Sequence, residues 1–199
     1  MNDPIGGAKV EMLPTLGGER VRLRPGTNVD VAVLHEILTQ PSVAEWWGEP
    51  ESHEEITTDL NGDADTYLLV IESDGSVVGG IQYGEENEAD YRHASVDIFL
   101  GEGSQGGGIG RQAIALLARF LFDVRGHHRL VIDPSATNGR AIRCYDAVGF
   151  RTVGVMRQYE RSPEGAFRDG LLMDLLADEL EIGPSSGQEL QESIEQPTR

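Results

Sequence analysis

A glycine-rich loop in the middle of the chain constrains the fold more than any other feature. The stretch "SQGGGIGRQA" (104–113) holds four glycines within seven positions, and an apolar periodicity typical of a helix follows at once. Free N–H groups and the dipole at a helix N-terminus favour an anion, and glycine lets that anion approach the backbone. The loop therefore predicts a site for a phosphate-bearing ligand at the start of a helix.

Three classes of phosphate ligand fit this physics. A nucleoside triphosphate site of the P-loop type is excluded, because no Lys-Ser or Lys-Thr follows the glycines. A dinucleotide site is suggested by "GEGSQG" (101–106) and "GIGRQA" (108–113), with Asp133 about 20 residues further on. A doubly wound sheet would need several more units after the next strand, whereas one helix follows, which disfavours this class. The third class is the pyrophosphate of coenzyme A.

The order of predicted elements is that of an α/β (α+β) domain. Alternation predicts a strand at 20–25, and helical periodicity predicts a helix from an N-cap at Asp30 to a stop at Pro41. Two apolar runs around "SDGS" (73–76) predict a hairpin, and the strand "HASVDIFLG" (93–101) leads into the glycine loop.

The second half of the chain continues the alternation. A helix is predicted at 109–124, then the strand "RLVID" (129–133), and then a helix between Asn138 as N-cap and Gly149 as C′. The strands "RTVGVMRQYE" (151–160) and "FRDGLLMDLL" (167–176) close the domain. We expect one domain over 19–182, preceded by a flexible segment (1–18) and followed by a disordered tail (183–199).

Charge and cysteine content limit the partners and the compartment. Thirty-four acidic residues against 16 basic ones give a formal net charge of -18, which repels nucleic acid and anionic membranes and favours a cationic partner. The chain has one cysteine, Cys144, so no internal disulfide can form and a reducing compartment is expected. The start of the chain has no apolar run like that of a signal peptide, so we expect a cytoplasmic protein without a membrane span.

Two motifs in order resemble those of a known family. "QGGGIG" (105–110) is similar to the Q/R-x-x-G-x-G/A signature of the GCN5-related N-acetyltransferase (GNAT) superfamily. "NGRAIRCYDAVGF" (138–150) is similar to the superfamily's second signature. Within the superfamily, "VAEWWGEP", "VDIFLG" and "DPSATNGRAIRCY" resemble segments of the bacterial aminoglycoside 6'-N-acetyltransferases.

The resemblance implies a fold and a co-substrate. The fold would be a single GNAT-like domain with a mixed central sheet, flanked by helices, in which two central parallel strands splay apart. The co-substrate would be acetyl-CoA, attacked directly by an amine in a ternary complex, with backbone amides near Ile98 and Phe99 polarising the carbonyl. The implied acetyl-CoA-binding residues are Ile98, Phe99, Gln105, Gly106, Gly107, Gly108, Ile109, Gly110, Arg111, Asn138 and Ala141.

Two residues are expected to carry the catalysis. Tyr145 matches the family residue whose hydroxyl protonates the departing sulfur, while core packing is the alternative because Ala141, Tyr145 and Val148 share a helix face. Asp97 interrupts the apolar strand "ASVDIFL" and matches the acidic residue that meets the substrate amine, as an anchor or general base. Its alternative is a position on a solvated strand face. Cys144 has no paired histidine and is expected to be a small buried residue.

Further residues are expected to bind the acceptor. Asp133 matches a carboxylate that contacts the drug in the family, although Asp-Pro also opens turns. Trp46 and Trp47 are expected in a loop, with one of them lining a cleft or anchoring the core, and Glu45 is either a solvated charge or a second amine anchor. The histidines show no ligand spacing, so no metal is expected.

These observations together predict an N-acetyltransferase acting on the 6'-amine of an aminoglycoside, and hence a resistance enzyme. A polyamine or protein N-acetyltransferase is the first alternative, since the acidity of the chain suits those amines too. A non-catalytic acyl-CoA-binding module is the second. The oligomeric state stays open.

Overall fold

The computed structural model describes residues 13–61, 66–162 and 165–180. Eight strands form one mixed sheet in the order β1-β2-β3-β4-β5-β6-β8-β7. The strands are β1 Leu16–Gly17, β2 Val21–Pro25, β3 Thr66–Ser73, β4 Ser76–Glu86, β5 His93–Leu100, β6 Arg129–Ile132, β7 Arg151–Arg161 and β8 Phe167–Leu176. The helices are α1 Val31–Leu38, α2 Pro41–Trp47, α3 His53–Asn61, α4 Ile109–Arg119 and α5 Gly139–Asp146. A π-helical turn, Phe120–Val124, extends α4.

Two local turn signals behave as the sequence predicts, and a third is shifted by one residue. Asp74 and Gly75 both have positive φ, 50° and 76°, as the tight turn between β3 and β4 requires. The side chain of Asn138 accepts a hydrogen bond from the amide of Ala141 at 3.1 Å, which confirms its prediction as the N-cap of α5. Gly149, predicted at C′, lies one position later than predicted, two residues beyond the C-cap Ala147, with φ of 116°.

The sheet opens between its one parallel pair of strands. β5 pairs with β4 along its whole length, from Gly79↔Leu100 to Glu86↔His93. Its pairing with β6 covers Ala94↔Leu130 and Ser95↔Val131 alone, so the two strands separate from residue 96 onward. The predicted mixed sheet with splayed central parallel strands is thereby confirmed. The other pairings are antiparallel, which rules out a doubly wound dinucleotide fold.

Helices cover both faces of the sheet, and each face has its own core. On one face, α4 packs on β5 through Ala94 and Val96. On the other face, α1, α2 and α3 pack on Leu68, Val70 and Phe99. Because side chains alternate along a strand, Asp97 lies on the same face as Phe99, opposite to α4.

Two elements differ from the prediction because Pro41 begins a helix rather than ending one. Proline suits the first turn of a helix, where its missing N–H is not needed, and it lies at N1 of α2. The prediction that Trp46 and Trp47 lie in a loop is therefore wrong, since they are the last two residues of α2, which Gly48 ends with a φ of 83°. The following helix α3 was not predicted.

Asp30 stands before α1, yet its carboxylate does not cap the helix. Arg24 donates two hydrogen bonds of 2.8 Å to it, and the amide of Thr27 donates a third. The hydrogen bonds from Arg24 lower the pKa of Asp30 to about 2. This buried ion pair ties β2 to the start of α1.

The described residues include only part of the two segments predicted to flank the domain. Leu16 of β1 is buried in the core, so part of the segment 1–18, which was expected to be flexible, belongs to the domain. Residues 1–12 and the predicted tail 183–199 lie outside the described residues.

Among the described helices none has the length and hydropathy to cross a membrane. Nor do three His, Cys, Asp or Glu side chains of the described ranges meet as a metal site.

Candidate active site

A cavity of about 600 Å³ lies where β5 and β6 separate. Its walls come from α2, β4, β5, the glycine loop, the end of β6, α5 and β7. The predicted residues among its lining are Trp46, Trp47, Asp97, Ile98, Phe99, Gln105, Gly106, Gly108, Gly110, Arg111, Asp133, Asn138, Ala141 and Tyr145. The gap in the sheet therefore brings most of the predicted site together.

The glycine loop forms an open cradle at the N-terminus of α4. Gly106 and Gly108 have φ of 82° and 83°, in the left-handed region that favours glycine, and Gly108 is the N-cap of the helix. A Cβ added at either position would meet no atom within 4 Å, so the backbone faces open space. The amides of the first helical turn have no acceptor within the helix and can bind an anion there. This geometry fits the pyrophosphate of coenzyme A.

Gln105 holds the entrance of this cradle in place. Its amide nitrogen donates to the carbonyl of Leu100 at 2.7 Å, and its amide oxygen accepts a hydrogen bond from Arg140 of α5. The end of β5, the loop and the start of α5 are thereby joined. Arg111, Arg140 and Arg143 all line the cavity on this side of the sheet.

Asp97 lies on β5 at the point where the strands have parted. Gln82, its register partner on β4, donates a weak hydrogen bond of 3.5 Å to its carboxylate. Burial raises the pKa of Asp97 to about 6, with a further contribution from the negative charge of Asp133. A carboxyl group with this pKa is mostly ionised at neutral pH. Because its pKa is close to neutral pH, it can also accept a proton from a neighbouring group.

Asp133 follows β6 and faces the same part of the cavity. The hydroxyl of Tyr159 on β7 donates a hydrogen bond to its carboxylate, which raises the pKa of Tyr159 to about 12. Tyr159 reaches this position because β7 has an irregularity between Met156 and Glu160, with Gln158 at a φ of 50°. Neither Tyr159 nor its contact with Asp133 was predicted from the sequence.

Tyr145 lies in the core face of α5 with its side chain against the cavity. Burial raises its pKa strongly, and the nearby acidic groups Cys144, Asp97 and Asp133 add to the effect. The hydroxyl therefore keeps its proton at all physiological pH values and has a proton to donate. Cys144, expected to be buried, is half-buried on the cavity wall, and burial raises the pKa of its thiol.

The two tryptophans form the wall contributed by α2. Trp47 packs edge-on against Phe99, with ring centroids 4.9 Å apart, and so joins α2 to β5. The guanidinium of Arg168 on β8 lies over the ring of Trp46, 5.3 Å from its centroid. Arg168 also donates to Oε1 of Glu160 on β7 at 2.6 Å. Glu160 is a third carboxylate in the cavity lining.

Three predicted residues are not part of the cavity lining. Ile109, the first residue of α4, has its side chain buried in the core, and Gly107 is exposed beside the cradle. Glu45 has an exposed side chain, and its main-chain carbonyl accepts a hydrogen bond of 3.0 Å from Arg168. The structure gives Glu45 no place beside the other carboxylates, so an anchoring role for it has no geometric support.

Charge is divided across the sheet. The carboxylates of Asp97 and Asp133 lie on the face covered by α1, α2 and α3, whereas the cavity arginines belong to α4 and α5 on the opposite face. The gap between β5 and β6 connects the arginine end of the cavity to the carboxylate end. The arginine end suits an anionic phosphate group, and the carboxylate end suits a cation.

The chain is similar to known acetyltransferases. A family model described as an acetyltransferase (GNAT) domain matches residues 27–157. Aminoglycoside N(6')-acetyltransferase type 1 of Klebsiella pneumoniae is 30% identical over 167 residues, covering 71% of this chain and 79% of that protein. Spermidine N(1)-acetyltransferase of Escherichia coli K12 is 28% identical over 159 residues, covering 77% of this chain and 84% of that protein. The solved structure of Mycobacterium smegmatis RimJ in complex with CoA-disulfide superposes with a TM-score of 0.75 at 28% identity, covering 85% of this chain and 90% of that one.

Proposed function

The chain belongs to the GNAT acetyltransferase family, and on that premise we propose that it acetylates the 6'-amine of an aminoglycoside antibiotic. It is an N-acetyltransferase of the GNAT type that uses acetyl-CoA, and the proposal adds the acceptor. The observation that carries the proposal is the acidic end of the cavity, where Asp97 and Asp133 face one space beside Trp46. An aminoglycoside carries several ammonium groups on a sugar scaffold, and such a ligand needs several carboxylates and an apolar surface.

The binding of acetyl-CoA would rest on the cradle and on the open edge of β5. The amides at the start of α4 and the arginines of α4 and α5 would hold the phosphates. Beyond Ser95, β5 no longer pairs with β6. Main-chain groups near Ile98 and Phe99 on that edge can therefore bind the pantetheine arm and the acetyl carbonyl. The bound acetyl-CoA supplies an activated acetyl group as a thioester.

Two side chains would handle the protons. Asp97 would orient the acceptor amine and take up the proton that the nitrogen loses, because its pKa of about 6 is close to neutral pH. Tyr145, whose hydroxyl stays protonated, would donate to the sulfur as it departs. Asp133 would bind a second ammonium group of the acceptor, with its carboxylate oriented by Tyr159.

A polyamine is the second candidate acceptor. The likeness to the E. coli spermidine N(1)-acetyltransferase covers most of the chain, and a polyamine also presents separated ammonium groups to two carboxylates. A flexible polyamine loses more conformational freedom on binding than a ring system does, so the rigid wall formed by Trp46 and Trp47 favours the aminoglycoside.

Acetyl transfer to matched acceptors tests the proposal. Neomycin and paromomycin differ at the 6' position by amine against hydroxyl, and spermidine serves as the polyamine. We expect acetylation of neomycin and none of paromomycin at the same concentration of acetyl-CoA. Equal rates on both drugs would overturn the 6' assignment, and transfer to spermidine with none to neomycin would replace the first candidate by the second.

A further inference from the structure

Arg168 joins the two walls at the acidic end of the cavity without lining the cavity itself. Its Nε donates to Oε1 of Glu160 at 2.6 Å, which ties it to β7. Its two terminal nitrogens donate to the main-chain carbonyls of Glu45 at 3.0 Å and Trp46 at 3.3 Å, which ties it to the end of α2. The same guanidinium lies over the indole of Trp46, with its central carbon 5.3 Å from the ring centroid. One side chain therefore connects the β7–β8 hairpin to α2 across the mouth of the cavity.

This set of contacts requires a planar guanidinium. The last carbonyls of α2 have no N–H donor within the helix, and a forked cation can donate to two of them while it lies over an aromatic ring. A lysine ammonium at this position could pair with Glu160 but could not also bond both carbonyls and cover the indole. The rotamer of Trp46 and the end of α2 therefore depend on arginine at position 168.

Arg168 also changes the charge that an acceptor meets. Glu160 lines the cavity, and its ion pair with Arg168 is shielded, with side-chain exposures of 31% and 19%. The carboxylates of Asp97 and Asp133, by contrast, are bonded by neutral groups, the amide of Gln82 and the hydroxyl of Tyr159. The acidic end thus presents two full negative charges and a third that is offset.

We infer that Arg168 is a positioning residue that sets the affinity of the cavity for its cationic acceptor, by fixing Trp46 and by neutralising Glu160. The inference deepens the proposed function and rests on it for the identity of the acceptor. It concerns the acceptor alone, because the contacts of Arg168 are made at the end of the cavity away from the glycine loop. Acetyl-CoA binding should therefore be independent of Arg168.

Two variants and one control test the inference by steady-state kinetics on neomycin and spermidine. Arg168→Lys keeps the charge that offsets Glu160 and loses the forked hydrogen bonds and the guanidinium contact with the indole, whereas Arg168→Met loses the charge as well. We expect Arg168→Lys to raise the acceptor KM about tenfold, with kcat and the Kd of acetyl-CoA unchanged within about twofold. Arg157→Lys, an exposed position on the same hairpin outside the cavity, should leave all three constants unchanged.

The salt dependence of the acceptor KM separates the two effects. Arg168→Met exposes the charge of Glu160, so its acceptor KM should rise more steeply with ionic strength than that of Arg168→Lys. A change of KM that Arg168→Lys and Arg168→Met share measures the loss of Trp46 positioning. A difference between them measures the charge.

Tryptophan fluorescence tests the positioning of Trp46 without any substrate. The chain has two tryptophans, so in a Trp47→Phe background the emission comes from Trp46 alone. Adding Arg168→Lys should increase the quenching of this emission by acrylamide, at an unchanged melting temperature. If wild-type protein acetylates neither acceptor, the proposed function fails, while quenching still decides whether Arg168 positions Trp46. Unchanged quenching together with an unchanged acceptor KM would overturn the inference.

Discussion

The substitution Asp97→Asn should remove activity and increase stability at the same time. Asparagine keeps the size of the side chain and can still accept the hydrogen bond from Gln82. It removes a negative charge that is poorly hydrated and repelled by Asp133. If Asp97 carries its charge for the sake of the reaction, the protein is less stable at neutral pH than it would be with a neutral residue there.

The size of the effect follows from the pKa of Asp97, which rises from 3.8 to about 6 on folding. The pKa of this carboxyl group is higher in the folded protein than in the unfolded chain. Its contribution to stability is fully present at pH values below the unfolded pKa and is lost as the pH rises through the folded pKa. The linkage gives a loss of about 3 kcal/mol at pH 7.5 and about half of that at pH 5. Asp97→Asn should therefore raise the free energy of unfolding by about these amounts at the two pH values.

Urea unfolding of wild type and variant at pH 7.5 and pH 5, at one ionic strength, measures the difference. Asp90→Asn, an exposed carboxylate in the turn before β5, is the matched control and should change stability by less than about 0.5 kcal/mol. A gain for Asp97→Asn that is the same at both pH values, or a loss at pH 7.5, would refute the raised pKa and with it the case for Asp97 as a base.

Three further substitutions test other parts of the site. Asp133→Asn removes a negative charge that adds to the effect of burial on the pKa of Asp97, so the acidic limb of the kcat/KM profile should move to lower pH; a limb that does not move belongs to another group. Tyr145→Phe keeps the ring and loses the proton, so single-turnover acetyl transfer should slow by about 10- to 1000-fold, whereas an unchanged rate would assign Tyr145 to core packing. Gly108→Val should weaken acetyl-CoA about tenfold or more by calorimetry, because φ of 83° is strained for valine, while Gly103→Val in open space at ordinary φ should not; equal affinities would place the pyrophosphate elsewhere.

The parts of the fold that the sequence predicted are those encoded by local signals. The turn at Asp74 and Gly75, the glycine loop before α4 and the cap at Asn138 each depend on residues a few positions apart. Pro41 was misinterpreted because a proline can follow one helix and begin the next, and nothing local distinguishes the two. That error displaced Trp46 from α2, although its proximity to the site was expected.

The unpredicted part of the site comes from long-range pairing. Tyr159, Glu160 and Arg168 lie on a hairpin whose register is irregular, and the irregularity decides which side chains face the cavity. An isolated bridge from Ser135 to Gly170 brings this hairpin beside the end of β6. A position along "RTVGVMRQYE" carries no mark of such a bulge, so these residues could be found only once the strands were paired.

The division of charge across the sheet explains how a chain with a formal charge of -18 can bind an anionic co-substrate. At physiological ionic strength, charges further away than about 8 Å are largely screened, so the overall charge of the surface matters less than the groups beside each ligand. Arg111, Arg140 and Arg143 line the cavity on the side of the glycine loop, and the amides of α4 add a positive dipole there. On the other face, Asp97 and Asp133 act at short range inside a partly desolvated cavity, where their attraction for an ammonium group is strongest. Because the strands part only from residue 96, the two groups of charges face opposite ends of one passage rather than each other, and each substrate meets the charge it requires.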